Sequence, residues 1–140
     1  MGRVVGVDVG SVRIGVAVSD PARTVATPLA TVPAQPREAA LAAVADAARR
    51  YDAVAVVVGL PLELSGVEGH AARRIRAWTE LLGARLVCPV HFWDERLTSV
   101  SAERTLIEAK VGRAQRKRVI DQAAATMILQ GWLDLHGRQG

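Results

Sequence analysis

The stretch VVGVDVGSVRIG, from Val4 to Gly15, decides the fold. Its first half is a valine-rich run, which is typical of a strand buried on both faces. One carboxylate, Asp8, interrupts that run, and Gly10 marks a tight turn before a second apolar run. Because an isolated charge is costly to bury, we expect Asp8 either to bind a cation at the strand end or to cap the turn of a hairpin.

Length and composition limit the alternatives. The chain has 140 residues, of which 50% are hydrophobic and 4% aromatic, so we expect one domain with a core of Val, Ala, Leu and Ile. The single cysteine, Cys88, excludes an internal disulfide and a multi-cysteine zinc site. The formal net charge of +4 is a weak indication of a polyanionic partner. The chain shows neither a signal-peptide pattern nor a membrane-spanning run, so we predict a cytoplasmic protein without a membrane partner.

Hydrophobic periodicity predicts a mixed α/β fold. Strands are predicted over 4–9, 13–19, 24–31, 53–60 and 86–93. Helices are predicted over 37–50, 70–82, 98–109 and 116–136, with loops over 61–69 and 111–115. The first three strands follow one another through short links, as in an antiparallel meander, whereas crossover helices connect the later strands in parallel. The expected architecture is a mixed five-stranded sheet (antiparallel β1-β2-β3, then parallel β4 and β5) with helices on both faces.

Acidic side chains recur where the predicted strands end. Asp94 and Glu95 follow the last strand, and Asp121 lies in the first turns of the last helix. In open α/β sheets ligands bind at the carboxyl ends of the strands, where Asp8 also lies. Because successive strand residues point to opposite faces, only one of Asp94 and Glu95 is expected to share a site with Asp8.

Three converging carboxylates would repel one another unless cations neutralised them. Oxygen ligands suit Mg²⁺, and two such ions can clamp the attacking and leaving oxygens of a phosphodiester displacement. The plainer alternatives are a surface ion pair between Glu95 and Arg96, and an Asp121 that only compensates a helix dipole. We favour the metal site, because all three acids occur together in this order of strands and helices.

Basic residues cluster shortly before Asp121. We predict that they bind the phosphate backbone of a nucleic acid, although such a run is often only a solvated face: Lys110, Arg113, Arg116, Lys117 and Arg118. Arg13 and Arg96 are expected either to contact phosphates or to be structural. Trp93 is expected either to stack on a base or to pack in the core.

Four stretches together resemble the YqgF/RuvX family, which has an RNase H-like fold related to the RuvC resolvases: VVGVDVGSVRIGVAVSD, VVVGLPLELSGVEG, HFWDERLTS and RVIDQAAATMIL. By this resemblance Asp8, Glu95 and Asp121 match the family's acidic triad, and Asp94 matches the neighbouring acid. The resemblance implies a single RNase H-like nuclease domain over 1–140. Its active site is expected to bind two ions of Mg²⁺ or Mn²⁺. The resemblance also implies a role in processing the 5′ end of pre-16S rRNA, beside ribosome-assembly partners.

Three other functions are consistent with parts of the sequence. A Holliday junction resolvase would act on branched DNA and would need a homodimer to cut two strands symmetrically. A non-catalytic nucleic-acid-binding module would keep the acids without the chemistry. An actin-like sugar kinase or ATPase would suit the DVGS hairpin, but the chain is too short for the second lobe of such enzymes.

Overall fold

The computed structural model describes residues 2–63, 65–97 and 113–136, with side chains from Gln122 onward in the last of these ranges. Five strands form one sheet in the order β3-β2-β1-β4-β5. Their bounds are β1 Val4–Val9, β2 Arg13–Ser19, β3 Ala26–Pro33, β4 Ala55–Leu60 and β5 Val90–Asp94. β2 pairs antiparallel with β1 and β3, whereas β4 runs parallel to β1 and β5. The predicted mixed sheet is therefore confirmed.

Helices cover both faces of this sheet. On one face lie α1 (Arg37–Arg50) and α2 (His70–Gly83), whose apolar sides pack on Val5, Val7 and Val58. On the other face lies α3 (Arg113–His136), which packs on Val4, Val57 and Trp93. A 3₁₀ turn, Glu95–Leu97, follows β5. Among the described residues, no helix is both long and apolar enough to cross a bilayer.

Small residues let α3 approach the sheet closely. Ala124 and Ala125 are fully buried on the sheet side of this helix. A Cβ atom on Gly6 would lie 2.6 Å from the Cβ of Leu129 and 3.1 Å from the carbonyl oxygen of Ala125. Glycine is therefore required in β1 at the crossing, because any side chain there would push the helix away from the sheet.

Three strand boundaries differ from the prediction. β3 is shifted by two residues, because the Asp20 carboxylate accepts hydrogen bonds from the N–H groups of Thr24 and Val25 and holds them in a turn. β4 begins at Ala55, two residues later than predicted. β5 begins only at Val90, because residues 85 and 86 continue the end of α2, their N–H groups donating to the carbonyls of Leu82 and Gly83.

The last helix begins at Arg113, so the predicted loop over 111–115 is wrong for 113–115. The buried residues that are described in this helix are Ala124, Ala125, Ile128, Leu129 and Leu133, because the helix lies flat on the sheet and buries about two residues in each turn. The helix predicted over 98–109 lies outside the described residues.

Candidate active site

Asp8 is a buried carboxylate on the α3 face of the sheet, and it is only 6% exposed. In β2 its direct partner is Gly15. In β4 the pairing of Val7 with Val58 places Gly59 level with Asp8. Residues level with one another on neighbouring strands point to the same face. The Asp8 side chain therefore lies between two positions that carry no side chain.

The carboxylate of Glu95 fills the space above one of those glycines. A Cβ atom on Gly59 would lie 3.1 Å from Glu95 Oε2 and would also meet the side chain of Ile128. Glu95 belongs to the 3₁₀ turn that follows β5, and this turn directs its side chain back over β4. Glu95 and Asp8 consequently approach the same glycine from two strands.

Asp94 lies on the other face and forms an ion pair instead. It pairs in register with Leu60, which belongs to the core under α1 and α2. Its carboxylate accepts hydrogen bonds from Arg96 Nη2 at 2.6 Å and from the Arg96 backbone N–H at 2.9 Å. The hydrogen bonds from the Arg96 side chain hold the pKa of Asp94 below its usual range and raise the pKa of Arg96. Asp94 thus fixes the turn that carries Glu95.

Asp121, the third predicted acid, lies in α3 one turn before Ala125, and Ala125 packs on Gly6 of β1. The side chain of Asp121 is outside the described residues. Among the side chains that the structure describes, no group of three metal-binding residues occurs. Asp8 and Glu95 fit a hard cation, because both supply carboxylate oxygens and Glu95 Oε2 lies 3.1 Å from the Cβ position of Gly59, which is level with Asp8.

Arg96 connects the site to the loop over 61–69. Its Nη1 lies 3.5 Å from the carbonyl oxygen of Glu63 and 3.5 Å from where a Cβ of Gly66 would stand. Gly66 has φ +88°, which favours glycine. Glu68, in the same loop, forms an ion pair with Arg76 of α2 at 2.5 Å. This ion pair connects the loop to α2.

Arg13 lines a cavity of about 480 Å³ beside the site, together with Thr31 and Gln122. Thr31 pairs with Gly15, the strand neighbour of Asp8, so it belongs to the same row of residues across the sheet. Its buried Oγ1 has no hydrogen-bond partner. The predicted basic cluster cannot be placed in the same way. Lys110 and the side chains of the other four members lie outside the described residues: Arg113, Arg116, Lys117 and Arg118.

The sequence left the role of Trp93 open, and the stacking of Trp132 was not predicted from it. Trp93 is 5% exposed, so it packs in the core, and its indole Nε1 has no hydrogen-bond partner. Trp132 stacks on His91 and His136, with ring centroids 5.4 Å and 4.8 Å apart. The four-residue spacing of Trp132 and His136 on a helix was the available signal for half of this stack.

Comparison with known proteins identifies the relatives of this arrangement. A sequence profile of the RuvX family, described as a Holliday junction resolvase, matches residues 2–135. The chain belongs to the RuvX family. A relative from Moorella thermoacetica, named "Putative pre-16S rRNA nuclease", is 48% identical over 99% of both chains. One of the same name from Myxococcus xanthus is 48% identical over 96% of this chain and 89% of its own.

Solved structures outside the RuvX family share the fold. Thermus thermophilus RuvC, in complex with a Holliday junction substrate, superposes with a TM-score of 0.57 at 14% identity, covering 96% of this chain and 97% of its own. The fowlpox virus Holliday junction resolvase superposes with a TM-score of 0.54, also at 14% identity, covering 95% of this chain and 99% of its own. These likenesses confirm the RNase H-like fold that the resemblance implied.

Proposed function

We propose that this RuvX chain is a divalent-metal-dependent nuclease that hydrolyses phosphodiester bonds near the 5′ end of pre-16S rRNA. One observation carries the proposal: Asp8 lies level with Gly59 on the α3 face of the sheet, and Glu95 Oε2 lies 3.1 Å from where a Cβ of Gly59 would stand. Two carboxylates on one face at the carboxyl edge of a sheet can together supply oxygen ligands to a divalent cation. Asp121, on the helix that crosses this face, is the third acid that we assign to the site.

Asp8, Glu95 and Asp121 would hold two Mg²⁺ or Mn²⁺ ions. When bound, such ions supply a nucleophile at neutral pH and stabilise the attacking and leaving oxygens of the phosphodiester. The protein contributes positioning. Asp8 is fixed within a central strand. Glu95 is fixed by a turn in which the Arg96 backbone N–H and the Arg96 side chain both donate hydrogen bonds to the Asp94 carboxylate.

The basic residues would bind the rest of the substrate. Arg13 lies at the start of β2 beside the carboxyl end of β1, and Arg96 follows Glu95 directly, so both are placed to contact flanking phosphates. The cluster from Lys110 to Arg118 would neutralise further phosphates along the strand. RNA is proposed as the substrate because the full-length relatives are named for pre-16S rRNA. The enzyme would act in the cytoplasm, beside ribosome-assembly partners.

The test is cleavage of matched substrates by the wild type and the Asp8→Asn variant. A precursor rRNA 5′ segment and a four-way DNA junction are each incubated with Mn²⁺, with Mg²⁺ and with EDTA. We expect RNA products that require the metal and that disappear with Asp8→Asn, because the amide cannot replace a charged ligand. Binding of the RNA in EDTA should persist in the variant.

Asp46→Asn is the matched control, since Asp46 is an exposed carboxylate of α1 whose partner is Arg49. It should cleave as the wild type does. Cutting of the junction alone, by a dimer, would replace our proposal with the resolvase. Retained binding without any metal-dependent product would overturn both in favour of a binding module.

A further inference from the structure

A second concave site lies at the end of β1, on the α1 and α2 face of the sheet. Its cavity has a volume of about 270 Å³. The walls come from the β1–β2 turn, from the start of α1 and from one side of α2, including Gly10, Ser11, Gln35, Arg37, Arg74 and Trp78. The polar residues of this lining include two arginines, one serine and one glutamine.

No acid of the described chain neutralises these two arginines. The side chains of Arg37 and Arg74 form no ion pair or hydrogen bond with a described residue. Two of the acids that lie near them in the sequence pair with other arginines. Glu38, beside Arg37, binds Arg85, and Glu68, before α2, binds Arg76. Two like charges in one concave site repel each other unless an anion lies between them.

The chemistry of the cavity suits a phosphate group. Guanidinium groups donate two parallel hydrogen bonds to phosphate oxygens, and they are less strongly hydrated than ammonium groups. Ser11 is exposed in the turn and adds a hydroxyl donor. The neighbouring Arg76 shows the contrast, because its guanidinium packs 4.7 Å from the ring centroid of Phe92 and pairs with Glu68. Arg76 is thus structural, whereas Arg74 is available.

The position of the cavity connects it to the acidic site. Val9 and Gly10 line the cavity and follow Asp8 directly in the chain. Asp8 faces α3, whereas Val9 packs with the core under α1 and α2. Only the β1–β2 turn separates the two sites, a path on the order of 10 Å across one sheet layer. A nucleic-acid strand of a few nucleotides would span that path.

We propose that Arg37 and Arg74 form a phosphate-binding site that holds the substrate strand where it passes over the β1–β2 turn. This inference rests on the proposed nuclease function, because it uses the same substrate. The bound group is a phosphate of the RNA, either an internal phosphate of the backbone or a phosphate at one end of the strand.

The experiment measures binding of a single-stranded RNA in EDTA, so that it does not depend on cleavage. The variant Arg37→Gln/Arg74→Gln removes both charges and keeps polar side chains at both positions. We expect its affinity to fall about tenfold or more at 100 mM salt, and the slope of log K against log [salt] to become shallower by about 0.7 for each phosphate contact that is lost from this single strand. Inorganic phosphate should raise the melting temperature of the wild type more than that of the variant.

Arg50→Gln is the matched control, since Arg50 is exposed at the opposite end of α1. It removes a charge from the same helix and should leave affinity and slope unchanged. An unchanged slope in the double variant would overturn the site, and so would an equal loss in Arg50→Gln, which would indicate only a general effect of net charge.

Oligonucleotides with and without terminal phosphates identify the source of the phosphate. If the site binds the end of the strand, removing the terminal phosphate should lower the affinity of the wild type but not that of the double variant. If the backbone is bound, the end has no effect in either protein. The Asp8→Asn variant should bind like the wild type, so a failed nuclease proposal would show in cleavage while this site would still be tested by binding.

Discussion

Glu95 Oε2 lies 3.1 Å from the position that a Cβ of Gly59 would occupy. A carboxylate from the turn after β5 therefore depends on the absence of a side chain in β4. The φ angle of Gly59 is not positive. Glycine is therefore required here because a side chain would not fit, and not because of the backbone conformation. This relationship makes Gly59 a site residue although it carries no functional group.

Gly59→Ala should damage the site more than the fold. The added methyl would meet Glu95 and the side chain of Ile128, which we expect to cost about 1–3 kcal/mol of stability through overpacking. The methyl should displace the Glu95 carboxylate by up to about 1 Å, which should lower the cleavage rate by about a hundredfold. Thermal unfolding and single-turnover cleavage measure the two effects separately.

Gly83→Ala is the control for this substitution, because a Cβ at Gly83 would meet nothing within 4 Å. It should leave both the stability and the cleavage rate close to those of the wild type. A Gly59→Ala variant with full activity would show that Glu95 does not need its present position.

The sheet, and the face of the sheet on which each acidic side chain lies, could be predicted from the sequence because both follow from local patterns. Valine runs, short links and the alternation of strand side chains were enough to predict that Asp8 and only one of Asp94 and Glu95 share a face. The closeness of Glu95 to Gly59 was not predictable, because it depends on the register between β4 and β5. The different environments of Arg74 and Arg76 were not predictable either, because they depend on contacts with other segments, such as that of Arg76 with Phe92 of β5.

Asp94 should act as a positioning residue for Glu95. Asp94→Ala removes the carboxylate that accepts hydrogen bonds from the Arg96 backbone N–H and side chain, so cleavage and Mn²⁺ affinity should each fall by about 10–100-fold. Asp94→Asn keeps an oxygen that can accept the Arg96 backbone N–H, and it should restore much of the loss. Calorimetric titration with Mn²⁺ provides a measurement that is independent of turnover. Equal defects in the Ala and Asn variants would instead indicate that the charge of Asp94 takes part directly.

Thr31→Val should leave the protein as stable as the wild type or raise its stability by up to about 1 kcal/mol. The buried Oγ1 of Thr31 has no partner, and such a group costs about 1–3 kcal/mol of desolvation that an apolar side chain of the same shape avoids. Denaturant unfolding measures the change. Thr79→Val is the contrast, because the Thr79 hydroxyl donates to the Ile75 carbonyl at 2.7 Å, and its loss should cost about 1 kcal/mol. If Thr31→Val destabilised the fold as much as Thr79→Val, the Thr31 hydroxyl would have to be satisfied in solution.

Asp20 should make stability fall in acid. Hydrogen bonds from the N–H groups of Val25 and Thr24 lower its pKa in the folded state. A group with a lowered folded pKa adds stability above its unfolded pKa of about 3.9, and that contribution is lost as the pH falls through the folded value. Melting temperatures of the wild type and Asp20→Asn should therefore differ at pH 7 and converge towards pH 2. Asp46→Asn removes one carboxylate elsewhere, and its melting temperature should follow the wild-type dependence on pH. A difference between wild type and Asp20→Asn that stayed constant down to pH 2 would contradict the role of the Asp20 carboxylate.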